Sequence, residues 1–115
     1  MRETFHLVPE ASWATADPAT AYEAASLATE GFIHCTDGVP ALGETFDRYY
    51  AADPGPFLAL ALDLDALDVR WRYDVPDSPY PHIYGPVARS AILAVSRVER
   101  SRDGRFGALW ATRSP

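Results

Sequence analysis

Residues 30–37 read Glu30-Gly31-Phe32-Ile33-His34-Cys35-Thr36-Asp37, a short strand-like run with a polar exit. Side chains alternate along a strand, so Phe32, His34 and Thr36 share one face while Ile33 and Cys35 share the other. Two further runs repeat the arrangement. In Thr4-Phe5-His6-Leu7-Val8 the imidazole lies with Thr4 and Val8, opposite Phe5 and Leu7. In Pro81-His82-Ile83-Tyr84-Gly85 the pair His82 and Tyr84 lies opposite Ile83. All three histidines of the chain therefore sit mid-strand, and the expectation is that these strands adjoin and their histidine faces line one cleft.

The chain of 115 residues, 48% apolar, suits one domain (1–115) with a real core. A net charge of −6 argues against a general nucleic-acid binder. Arg97, Arg100, Arg102 and Arg105 form a local basic group, read as a solvated strand edge and tail. One cysteine allows no internal disulfide, and neither a signal-type apolar segment nor a membrane-length apolar run occurs. The expectation is a cytoplasmic protein with no membrane partner.

In chain order, residues 4 to 8 form a strand, followed by a short helix from Pro9 and Glu10 that ends before Asp17-Pro18. Residues 17 to 29 read as a loop with at most a turn of helix, in which Tyr22 plugs the core or folds over the cleft. A second helix from Gly38 or Val39 to Tyr50 has Pro40 in its first turn and a buried stripe of Leu42, Phe46, Tyr49 and Tyr50. Phe57 to Leu64 is a continuous apolar run, the candidate central strand. Val69 to Tyr73 alternates as a strand. Asp74 to Pro81 is a proline-rich loop, and Ala91 to Arg100 is the last strand expected. The tail 101–115 carries Phe106, Leu109 and Trp110, apolar enough to dock on the domain or on a neighbouring subunit. Five or six strands with two helices in the N-terminal half give an α+β domain with a curved, mostly antiparallel sheet.

The chemistry centres on the imidazoles. Neutral imidazole donates at one nitrogen and accepts at the other, which makes His6, His34 and His82 the catalytic candidates. Thr36 and Tyr84 add hydroxyl groups, and Gly85 permits close backbone approach by a ligand. Arg70 and Arg72 either face the cleft, where they would hold phosphate or carboxylate, or face solvent. Such a set can grip ribose hydroxyls and phosphates, with Tyr84 stacking on a base. Glu30, Asp37 and Glu99 are the acidic candidates, otherwise caps or surface charges. Cys35 points to the apolar side and is no nucleophile. Three histidines also suffice for a zinc or iron centre, although no close local pair supports one. The plainest alternative is three separate half-buried polar groups.

Taken together, Phe5-His6-Leu7-Val8-Pro9, Ser26-Leu27, Glu30 to Thr36, Trp71 and Pro81-His82-Ile83-Tyr84-Gly85-Pro86 resemble the small bacterial family labelled domain of unknown function 952, over roughly residues 4 to 98. The resemblance implies the ADP-ribosylation fold, a curved split sheet around a nucleotide cleft, as in ADP-ribosyltransferases and RNA 2′-phosphotransferases. It implies NAD or an ADP-ribose-like nucleotide as ligand, with His6 where those enzymes hold a polar residue for the nicotinamide ribose, and transferase chemistry. The sequence departs from those enzymes in its acids. Only Glu99 comes late enough for a transfer glutamate and nothing around it matches, nor does the arginine set of the phosphotransferases map. A non-catalytic binding module, using the tail and sheet edge, is the reading from another class.

Overall fold

A computed structural model describes residues 1–111 of the chain. The order is β1 (Glu3–Pro9), α1 (Glu10–Thr15), α2 (Ala25–Glu30), β2 (Ile33–His34), α3 (Val39–Tyr49), β3 (Phe57–Asp63), β4 (Trp71–Arg72), β5 (His82–Ile83), β6 (Ile92–Arg100) and β7 (Phe106–Ala111). Short 3₁₀ turns cover Leu64–Ala66 and Arg89–Ala91.

The strands form two antiparallel sheets. One has four strands in the order β1-β3-β6-β7, the other three in the order β2-β5-β4. The run from Phe57 lies inside the larger sheet, between β1 and β6, as its unbroken apolar character predicts. Register shifts between Ala61 and Leu62 and between Glu99 and Arg100 bend that sheet. The sheets touch at one backbone bridge. The Phe5 and Thr36 amides and carbonyls exchange hydrogen bonds of 2.9 and 2.8 Å. A second bridge, Tyr22 with Val87, ties the loop after α1 to the segment after β5.

Alternation along β1 and β3 divides the core. Phe5, Leu7, Ala59 and Ala61 pack under Leu42 and Phe46 of α3. On the opposite face Val8, Leu58, Leu60 and Leu62 meet Ile33 of β2 and Ile83 of β5. The second sheet is therefore fastened to the first by its aliphatic face, and each buried Ile or Leu there contributes roughly 1.5–3 kcal/mol. Its other face carries His34 and His82.

The structure differs from the sequence expectations in five elements. Ala25–Glu30 is a helix rather than a loop, closed by Gly31 in the left-handed region at φ 87°. The strand expected over residues 31 to 36 shortens to Ile33–His34, because past His34 the chain leaves the small sheet for its bridge to Phe5. The Val69 to Tyr73 strand shortens to Trp71–Arg72, limited by the two-residue partner β5. Tyr49 is 67% exposed, since Gly43 rather than Tyr49 completes the buried stripe of α3. The last strand is β7, not β6. The tail docks on the domain as an edge strand, and residues 112–115 lie outside the described residues. Among the described residues, no helix is long and apolar enough to cross a membrane.

Candidate functional site

His6 faces the interior from the middle of β1, opposite Leu60, and is 6% exposed. Its Nδ1 lies 2.8 Å from the backbone carbonyl of His34. A carbonyl only accepts, so Nδ1 carries the proton and Nε2 presents its lone pair. The Tyr22 hydroxyl, 2.8 Å away, donates to that lone pair. Burial pushes the imidazole pKa down to about 4, and burial likewise raises that of the Tyr22 hydroxyl.

His34 and His82 are direct partners in the β2–β5 ladder, with ring centres 5.5 Å apart. Each has its own carboxylate, on a different ring nitrogen. His34 Nε2 is 3.0 Å from Oε2 of Glu30, the last residue of α2. His82 Nδ1 is 2.6 Å from Oδ2 of Asp74. Asp74 also accepts from the Tyr84 hydroxyl at Oδ2 and from Arg72 Nε at Oδ1, 2.5 Å away. These donors, Tyr84 first and then His82, hold its carboxyl at a pKa of about 2. Phe32 lies flat on the His82 ring, with centres 4.1 Å apart and planes 16° from parallel, and sets its edge to His34. Arg70 and Arg72 lie over the Tyr84 ring at 5.3 and 4.8 Å.

A cavity of about 1080 Å³ adjoins these groups. All three histidines line it, with Tyr22, Thr36, Arg48 and Tyr49 among its other walls. The expected convergence thus takes a layered form. His6 lies deep, sealed by its two hydrogen bonds, while His34 and His82 stand as a pair on the wall. Thr36 is buried, with its hydroxyl 3.4 Å from that of Thr45. Tyr84, Gly85 and Arg72 fall outside the cavity lining. Tyr84 and Arg72 surround Asp74, and the space beside Gly85 is filled by Val69 rather than left for a ligand, since an added Cβ would come within 2.7 Å of Val69 Cγ1.

The remaining candidates separate. Glu30 serves His34. Asp37 accepts from the Tyr73 hydroxyl at 2.5 Å, and Glu99 from the Trp110 indole at 2.6 Å. Cys35 is buried and its thiol pKa is pushed up by burial, in keeping with an inert role. The three-histidine metal centre finds no geometry. Both nitrogens of His6 are taken, and among the described residues no three His, Cys, Asp or Glu side chains are grouped to hold an ion. Sequence reasoning passed over Asp74 and the cavity residues Arg48 and Tyr49. Asp74 was within reach: it follows Arg70 and Arg72 at strand spacing, on the face that meets His82.

The chain belongs to a family described as "Protein of unknown function (DUF952)", whose model matches residues 7–95. Among solved structures it is similar to the crystal structure of protein CC0527 from Caulobacter crescentus, with a TM-score of 0.73 at 20% identity, covering 91% of this chain and 93% of that one. The solution NMR structure of CC0527 gives a TM-score of 0.70 at 22% identity, covering 92% of each. Likeness at that identity is a likeness of fold. No curated protein matches the chain.

Proposed function

We propose that this member of the DUF952 family binds a small nucleotide-type ligand, NAD-like or ADP-ribose-like, in the cavity beside β1. The observation that carries the reading is the cavity wall. It brings together the imidazole of His34, the exposed ring of Tyr49 and the guanidinium of Arg48, over a floor in which His6 and Tyr22 are locked to each other. Its volume suits a ligand of that size. A base would stack on Tyr49, ribose hydroxyls would meet His34, and phosphate would meet Arg48. The split of the strands into two antiparallel sheets beside the cavity is compatible with the ADP-ribosylation fold that the sequence resemblance implies. Transferase chemistry follows from that analogy alone. Glu99, the acid late enough in the chain for such transfer, is tied to Trp110 and outside the cavity lining.

Titrating labelled protein with NAD, ADP-ribose and AMP tests the reading. Amide shifts should concentrate at His6, Tyr22, His34 and Arg48. Saturating nucleotide that moves none of them rejects it. The binding-module alternative draws on Trp110, 60% exposed on the edge strand β7. Under that reading Trp110→Ala abolishes partner capture while His34→Ala leaves it intact.

A further inference from the structure

We propose that His34 and His82 act as a general base–general acid couple on a phosphate ester of the bound ligand, one in which the phosphate bridges neighbouring ribose hydroxyls. The proposal rests on the ligand class given above and assigns its chemistry.

The geometry is that of two imidazoles, each held by its own carboxylate through a different ring nitrogen. They face each other across β2 and β5 and both line the cavity. Asp74 accepts from Nδ1 of His82, which turns the lone pair of Nε2 outward. Glu30 accepts from Nε2 of His34, which leaves Nδ1 as its open end. Neither outward nitrogen has a hydrogen-bond partner among the described residues. Stacking on Phe32 fixes the plane of the His82 ring, and Arg72 with Tyr84 fixes Asp74 in turn. Arg70, with no carboxylate partner among the described residues, lies over the ring of Tyr84, one of the groups that hold Asp74. Cleaving a cyclic phosphate ester needs one proton removed and another delivered, and two carboxylate-held imidazoles can do both.

In the step, neutral His82 takes a proton from water as the water oxygen bonds to phosphorus. The bond from phosphorus to one ribose oxygen breaks. That oxygen takes the proton of protonated His34, whose charge Glu30 balances. The product is a phosphomonoester with a free neighbouring hydroxyl. One proton then returns from His82 to His34 through solvent, and nothing is oxidised or reduced. The charged and titratable groups around the couple include Glu30 and His6 on the side of His34, Asp74, Arg72 and Tyr84 on the side of His82, and Glu23, Arg48, Tyr49 and Tyr80 in the shared cavity wall.

The experiment incubates the full chain with 2′,3′-cyclic AMP and follows phosphorus NMR, with AMP binding measured in parallel by amide shifts. The expected result is conversion to the monophosphate with a bell-shaped rate–pH profile. His82→Asn and His34→Asn each lose about 100-fold or more in rate and flatten one limb. Asp74→Asn, a change at a positioning residue, lowers kcat while leaving KM within roughly twofold, and alters the limb that His82 governs. AMP shifts in all three variants report that the fold and cavity survive. If AMP binds and the cyclic ester stays intact, the couple is refuted while the ligand class stands. If no nucleotide binds or reacts, both fall. Turnover that survives both histidine changes also overturns the couple.

Discussion

Tyr22 donates its hydroxyl proton to Nε2 of His6 across 2.8 Å, inside the protein. The loop that carries Tyr22 is separately tied to Val87, by two backbone hydrogen bonds of 2.8 Å. One contact therefore joins β1, the loop after α1 and the segment after β5 around the deep end of the cavity. It works only while His6 is neutral, because a protonated imidazole would set two donors against each other.

That condition makes the fold acid-sensitive in a defined window. His6 has a pKa of about 4 when folded, against 6.5 for an ordinary histidine. Between these values the unfolded chain binds a proton at His6 that the folded chain refuses, so stability falls as pH drops from 6.5 towards 4. The loss from this residue approaches roughly 3 kcal/mol. Urea midpoints at pH 7 and pH 4.5 measure it. His6→Gln should be less stable at pH 7 yet show a much flatter dependence between the two. A wild-type midpoint unchanged over the window contradicts the assignment.

Asp74 operates in a lower window and with the same sense. Its folded pKa of about 2 lies below the ordinary 3.8, so it stabilises the fold above 3.8 and that contribution disappears as pH falls through 2. Carboxyl carbon NMR resolves the titration directly. Tyr84→Phe should raise the Asp74 pKa more than His82→Asn does, following the order of the two donors. Equal values in wild type and both variants would show that the carboxylate is not held as described.

The legible parts of the fold were those with long patterns. Phe57 to Asp63 and Thr4 to Val8 could be placed because several consecutive residues are buried and their partners span the same length. The small sheet resisted because its strands are two residues long, and no periodicity can fix the ends of so short a segment. Ala25–Glu30 buries no residue fully, so it has no apolar stripe to detect; its signals were alanine and the terminal Gly31. The expectation that the histidine strands adjoin came from matching faces, while the register that sets His34 opposite His82 comes from the structure. Spacing from Arg70 and Arg72 could have put Asp74 on the same face, but not its contacts, since Tyr84 and His82 arrive after a proline-rich loop.

Gly85 supplies a packing test. Gly85→Ala places a methyl group 2.7 Å from Val69 Cγ1 and 2.9 Å from Val69 Cβ. Val69 can turn its methyls but not its Cβ, so the segment before β4 must move away from the segment after β5. A loss of about 1–3 kcal/mol is expected in chemical denaturation. Val69→Ala in the same chain should recover part of it. If Gly85→Ala instead leaves stability intact and weakens nucleotide binding alone, Gly85 belongs to the ligand site after all.

The same reasoning, applied at Gly43, tests how β7 is held. Gly43 is buried on α3, and an added Cβ would come within 2.9 Å of the Phe106 ring. Phe106 is fixed there by its own amide, which donates to Asp47 Oδ1 at 2.7 Å. Two effects oppose each other in Gly43→Ala. Alanine favours a helix interior by about 1 kcal/mol over glycine, while forcing the ring aside costs about 1–3 kcal/mol. The clash should win in the native chain, giving a net loss. In a Phe106→Ala background the clash is gone and the helix preference remains, so the same change should become neutral or stabilising. The sign reversal in this double-mutant cycle measures the contact between α3 and β7. Two changes that simply add would mean that Phe106 does not rest on Gly43.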